Sequence, residues 1–294
     1  MTISNYGELK TAVANYLSQG SGLSSRIPEF IKLAEDYLAQ NLRVRAMEHT
    51  VDIILKSPVT GTTGGTANAI TLTTTSSYSS LATGDVFSVT ATSESTGNVT
   101  LNVDSVGATA WKDEDGSTEL EAGRIQVGGT YYAYYDGTSF RLVPPGGVPL
   151  PSRYKGMRRI FLDTNPVGIL QHMQPGELWE TNTGVVNRRP RYFTVEGECI
   201  VFRPVPDTTY HAKVLYWRRF ATLSGDSDTN WIIDNAGGLL LYRSLVEASP
   251  FLKDDARTLT WASLYDDAVE NVMKSDKADR HPHGMRGRRA QRVR

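Results

Sequence analysis

The stretch KSPVTGTTGGTANAITLTTTSS, residues 56–77, decides how the rest of the chain is read. Before it the sequence writes helices. From Gly61 it turns to Thr, Gly and Ser and keeps that character for about eighty residues. Between Gly61 and Val143 no helical period survives. Short β-rich runs follow one another instead, among them NAITLT, DVFSVTAT, GNVTLNV, GTYYAYY and SFRLV, divided by turns such as STGN and YDGTS. β-branched and aromatic residues in short runs between turn formers predict a small antiparallel sandwich or barrel. Pro58 marks one junction, and PPGGVPLP (144–151) closes the other like a linker. The reading is a β-module inserted into a host domain.

The host begins with NYGELKTAVANYL (5–17), a helix in which Asn5 caps, Glu8 is the capping-box partner, and Leu9, Val13, Tyr16 and Leu17 share a face. The next helix, RIPEFIKLAEDYLAQNLRVR, has Ser24 or Ser25 as cap and Pro28 in its first turn. Its stripe is Ile27, Phe30, Ile31, Ala34, Tyr37, Leu38 and Leu42, with Glu29, Lys32, Glu35, Asp36 and Arg43 opposite. HTVDIIL then alternates as a strand. After the insert, MRRIFLD, RYFTVEGECIVFRP and YHAKVLYWRRF read as further strands, the middle one a hairpin turning at Glu196-Gly197-Glu198. WIIDNAGGLLLYRSLVEASPFLKDD and ARTLTWASLYDDAVENVMKS are helices, with Pro250 ending or kinking the first. Each terminal helix has one apolar face, so those from the two chain ends are expected to pack on each other. The expected fold class is α+β: an α-helical core with a small antiparallel sheet, plus an inserted all-β sandwich- or barrel-like domain.

Composition bounds the function. With 39% hydrophobic and 21% charged residues, the chain reads as a soluble globular protein. The net charge of −1 hides a split: residues 61–143 hold nine acidic against three basic residues, whereas 280–294 hold six arginines and no acid. A lone cysteine, Cys199, suits a reducing cytosol. No run approaches a membrane span, and MTISNYGELK lacks the pattern of a signal peptide.

No catalytic constellation emerges. The histidines (49, 172, 211, 281 and 283) fit no metal motif, and no cofactor or metal is expected. Cys199 lies in an alternating strand and reads as a buried structural thiol. Asp254-Asp255 reads as a helix cap and Asp266-Asp267 as a solvated face, because adjacent helical residues point about 100° apart. GTTGG lacks the Lys-Ser/Thr of a phosphate loop. In TYYAYY, Tyr131 and Tyr135 share one face and Tyr132 and Tyr134 the other; one is expected to be core, and the other is a candidate glycan platform. The arginine tail, RHPHGMRGRRAQRVR, reaches roughly 50 Å when extended. Arginine suits paired carboxylates at a protein interface as well as nucleic-acid phosphates.

YGELKTAVANYL with RIPEFIKLAEDYLAQNLRVRAME, YFTVEGECIVFRPVPDTTYHAKVLYWRRFATLS and WIIDNAGGLLLYRSLVEASPFLKDDAR together resemble the head-to-tail adaptor (connector) proteins of tailed bacteriophages. The tract from TGGTANAITLTTT to GTSFRLV resembles a β-module of phage tail-fibre and other virion proteins, which departs from the usual adaptor. The resemblance implies a non-enzymatic virion protein at the head-tail junction, assembled in the host cytoplasm. It implies a homo-oligomeric ring of twelve copies below the portal protein, continuing the DNA channel toward a tail or nozzle protein. DNA would pass without sequence-specific binding, and no membrane is involved. The division expected is 1–60 and 144–279 for the adaptor core, 61–143 for the insert, and 280–294 for a basic arm. That arm would dock on the portal through Met285, Arg286, Arg288, Arg289, Arg292 and Arg294. The insert would face outward, toward a tail fibre or spike, or alternatively would bind a glycan or other partner.

Overall fold

Two of the three glycines in the quoted stretch, Gly61 and Gly65, stand where a side chain does not fit. In the computed structural model, a Cβ on Gly61 would lie 2.4 Å from the Thr73 carbonyl oxygen. Gly65 has φ +88° and would set a Cβ 2.2 Å from the Ala69 carbonyl oxygen, so the turn of this hairpin needs a residue without a Cβ. The structure describes residues 3–17, 25–181, 187–252 and 256–280.

In chain order the first elements are α1 (Tyr6–Leu17), α2 (Ile27–Asn41), β1 (Glu48–Leu55), β2 (Val59–Gly65), β3 (Ala69–Thr74), β4 (Val86–Thr90) and β5 (Val99–Val103). Then come β6 (Ala108–Lys112), β7 (Thr130–Tyr135), β8 (Phe140–Val143), β9 (Gly147–Pro149), β10 (Tyr154–Leu162), β11 (Gly168–Ile169) and β12 (Gln171–His172). The chain finishes with α3 (Pro175–Thr181), β13 (Tyr192–Glu196), β14 (Cys199–Arg203), β15 (Tyr210–Arg218), α4 (Trp231–Leu252) and α5 (Thr258–Arg280).

Strands β2 to β8 close into a barrel in the order β2-β3-β5-β6-β8-β7-β4. Period-two alternation supplies its core: Ile70 and Leu72, Val99, Leu101 and Val103, and Ala133 all point inward. Trp111, Phe87 and Phe140 fill the centre, the two phenylalanine rings meeting edge to face at 5.9 Å. Asp104 clips one end, accepting the Thr74 N–H at 2.7 Å and the Tyr78 N–H at 2.9 Å. The barrel is mixed, not antiparallel as expected, for β2–β4, β3–β5 and β6–β8 run parallel. Two four-stranded sheets follow, β1-β15-β10-β11 and β12-β13-β14-β9. The hairpin expected at 196–198 is present, with Glu196 opposite Cys199.

An α-helical core with a small antiparallel sheet is therefore not what forms. Among the described residues fifteen strands accompany five α-helices, and the fold is α+β with β predominating. The larger of two compact units, 50–152 with 157–216, is β apart from α3. The sequence pattern does not show the extra strands because β9, β11 and β12 are two or three residues long, too short to carry a period, and β12 pairs parallel with β13.

The other unit, 1–49 with 153–156 and 217–294, holds α1, α2, α4 and α5. Leu9, Val13, Ile31, Leu38, Leu240, Leu245 and Trp261 belong to one buried cluster, so helices from both chain ends do share a core. Details differ from the sequence pattern. Asn5 caps α1 by accepting the Glu8 N–H at 2.8 Å, but Glu8 reaches back to Ser4. α2 has Arg26 at its cap position with no side-chain bond, in place of a serine. Tyr16 and Tyr37, assigned to apolar stripes, are partly exposed. Glu35, assigned to the solvent face, is buried and accepts the Leu223 N–H at 3.1 Å. Pro250 sits in the last turn of α4, and the break in that helix falls at Ala236 (φ −151°, ψ 42°), next to Gly237-Gly238.

Candidate functional site

Among the described residues, the pieces the sequence offered do not come together as a reactive constellation. Cys199 is fully buried in β14, and burial pushes its thiol up to about 12, leaving no thiolate near neutral pH. Asp266 and Asp267 are both exposed on α5. Among the described residues no three His, Cys, Asp or Glu side chains gather as a metal site, and no helix is long and apolar enough to cross a membrane. Asp254, Asp255, His281 and His283 lie outside the described residues, as do Met285, Arg286, Arg288, Arg289, Arg292 and Arg294 of the arm.

The helical unit presents surfaces suited to binding. A groove of about 600 Å³ runs along the C-terminal half of α5, lined by Arg45, Trp231, Asn235, Asn271, Asp276 and Asp279. Arg45 organises one wall: its backbone N–H donates to the Asp276 carboxylate, and its guanidinium reaches Asp279 at 3.2 Å. Trp231 is fixed by stacking on Phe220, ring centroids 5.3 Å apart and nearly parallel. α5 leads from this groove straight into the arginine-rich segment. The arrangement sets amide, guanidinium and carboxylate groups beside an aromatic wall. Local periodicity could not reveal it, because Arg45 and Asp276 meet only through the packing of the two chain ends.

A second cluster joins α2, α4 and α5. The Arg243 guanidinium lies 3.6 Å from the Tyr37 ring centroid and 5.5 Å from that of Tyr265, and it pairs with Glu247. Burial pushes the Tyr265 hydroxyl up to about 12. Partly exposed Leu33, Tyr37 and Leu264 lie on these same helices. Arginine and tyrosine on a rigid helical face form the composition found at the centre of protein interfaces.

Of the strand's four tyrosines one pair faces the core, as expected. Tyr131 and Tyr135 pack against the barrel core, and Tyr132 and Tyr134 on the opposite face are half-buried. The Tyr131 hydroxyl is also engaged, accepting the Gln126 N–H at 2.9 Å.

A family model described as SU10 adaptor protein matches residues 4–148 and 145–292, nearly the whole chain. No curated protein matches it.

Proposed function

Because the chain belongs to the SU10 adaptor family, a family of phage structural adaptors, we propose that it acts as a head-to-tail connector. In this reading the chain is a virion protein with no reaction to catalyse. Copies form a ring, expected to be twelvefold, below the portal. They join the portal to a tail or nozzle protein and continue the DNA channel. The arm from Arg280 onward docks on the portal through Met285 and the arginines at 286, 288, 289, 292 and 294. Ordering such an arm costs entropy, and a ring offsets weak single contacts because all its copies engage together.

The observation that carries the reading is the family match over both halves of the chain. The charge of the tail and the buried, inert state of Cys199 are consistent with it. Residues 61–143 serve as an outward-facing insert that meets a fibre, a spike or the capsid rim. The test is native mass spectrometry of the protein with its portal ring, full length and truncated after Asp279. Stoichiometric loading that depends on the tail is expected. A full-length chain that stays monomeric and ignores the portal would refute the connector role.

A further inference from the structure

Two exposed surfaces of the larger β unit carry opposite charge and similar apolar content. The first is a groove of about 370 Å³ between residues 168–171 and 189–192. Arg188 and Arg191 stand exposed beside it, and neither has an acidic partner among the described residues. Arg189 donates to the Thr164 hydroxyl at 2.7 Å, which holds its guanidinium across Gly168. Val167 and Ile169, 62% and 59% exposed, form the apolar rim.

The second is a tip of the barrel, where the Ser95 N–H donates to the Ile125 carbonyl and the Gly123 N–H to the Ser95 carbonyl. These bonds set the segment around Glu94 beside that around Glu121. Both carboxylates are exposed and unpaired among the described residues, in contrast to Asp113, which pairs with Arg124. Val127, in the same loop, is 67% exposed.

We infer that the barrel tip of one copy, through Glu94, Glu121 and Val127, docks into the groove of a second copy at Arg188, Arg191 and Ile169. Two free carboxylates with a valine face two free guanidiniums with an isoleucine, so charge and apolar surface are complementary. The exposed aliphatic rim favours a protein occupant over a phosphate backbone, which would leave Val167 and Ile169 in water. The contact joins different patches of identical chains. It is therefore heterologous, and such contacts close into rings or extend as filaments. As a ring contact it rests on the ring reading above, but its test uses the chain alone, so failure to load on a portal leaves it untouched.

Sedimentation velocity of the full chain at low and high salt measures the association. Self-association that weakens with salt is expected. R188E/R191E and E94K/E121K should each weaken it on the order of a hundredfold, because like charges then face each other, and all four changes in one chain should restore it. Mixed V127C and I169C chains should form an intermolecular disulfide, a readout that leaves every charge in place. The inference is overturned if the wild type stays monomeric at low salt, if either charge pair has no effect, if the combined variant fails to recover, or if the cysteine pair does not cross-link. Binding of duplex DNA by the groove in place of self-association would likewise overturn it.

Discussion

Excising the barrel tests whether residues 59–143 are an insert in the physical sense. Its ends are close: Val59 pairs with Phe87, Phe87 with Ala133, and Ala133 with Leu142. Three inter-strand steps of about 4.8 Å separate the entry and exit strands by at most about 14 Å. A Gly-Ser linker of about five residues reaches roughly 16 Å and can replace the module. Among the described hydrogen bonds and ion pairs, the remaining chain loses one. Lys56 gives up its 2.7 Å ion pair with Asp85, and Gly197 loses the cover of the Glu114 side chain. Lys56 is itself partly exposed, so it regains solvent at a cost of about 1 kcal/mol or less. For a remainder of this size that is a shift in Tm of about 2–4 °C. Thermal unfolding followed by circular dichroism at 222 nm reads the helical unit directly. A cooperative transition within a few degrees of the wild type is expected, with a ten-residue linker as control against strain. Loss of that transition with both linkers would show that the barrel is needed for the rest to fold, and the idea of a separable insert would fail.

Three further outcomes follow from buried groups. The Cys199 thiol should resist a thiol reagent at neutral pH until the chain is unfolded, since burial holds it protonated near 12; labelling of the native protein would contradict the packing of β14. Burial raises the Glu35 carboxyl above its ordinary 4.5, with the Leu223 N–H opposing. Its contribution to stability is then full below pH 4.5 and is lost as pH rises through the raised folded value. Urea unfolding of Glu35→Gln should show a flatter decline above pH 4.5 than the wild type. Asp136 behaves oppositely: burial would raise its carboxyl, but the Ser139 N–H, Arg141 and Thr138 together hold it well below 3.8. It stabilises the barrel above pH 3.8 and ceases to as pH falls through the depressed value, so Asp136→Asn should cost about 1.5–3 kcal/mol at neutral pH and remove that part of the acid transition.

What the sequence disclosed depended on the range of the interaction. The face of α2 was readable from Ile27 to Leu42 because a helix repeats its burial every few residues. The hairpin at 196–198 was readable because two strands flank a local turn. Closure of the barrel was not, for it depends on Val59 and Thr60 finding Phe87 and Ser88 across β3 and a long loop. Glu35 misled for a related reason: its partner is the backbone of Leu223, and no periodic pattern marks a carboxylate that turns inward to meet a distant N–H. The groove beside α5 joins Arg45 to Asp276 and Asp279, again a tertiary event. The six arginines of residues 280–294, with no acid among them, stand out by composition, which names a charge and no geometry; the portal-docking arm built on them is the proposal made above.

Closure also bears on how a β-module would fit the ring proposed above. Copies held in such a ring would meet at high effective concentration. An open sheet repeated around such a ring would present rows of unpaired N–H and C=O groups to identical neighbours, the condition for edge-to-edge aggregation. The seam between β2 and β4 removes those edges with only two residue pairs, Val59 with Phe87 and Thr60 with Ser88. Its strength comes from burial: Phe87 lies in the barrel core against Tyr78 and Phe140, so opening the seam would expose aromatic surface as well as backbone. The module thus leaves its side chains, and not its backbone, to decide what it touches. That is why the free carboxylates and the exposed valine at its tip, and not its strands, are where contacts between copies are to be sought.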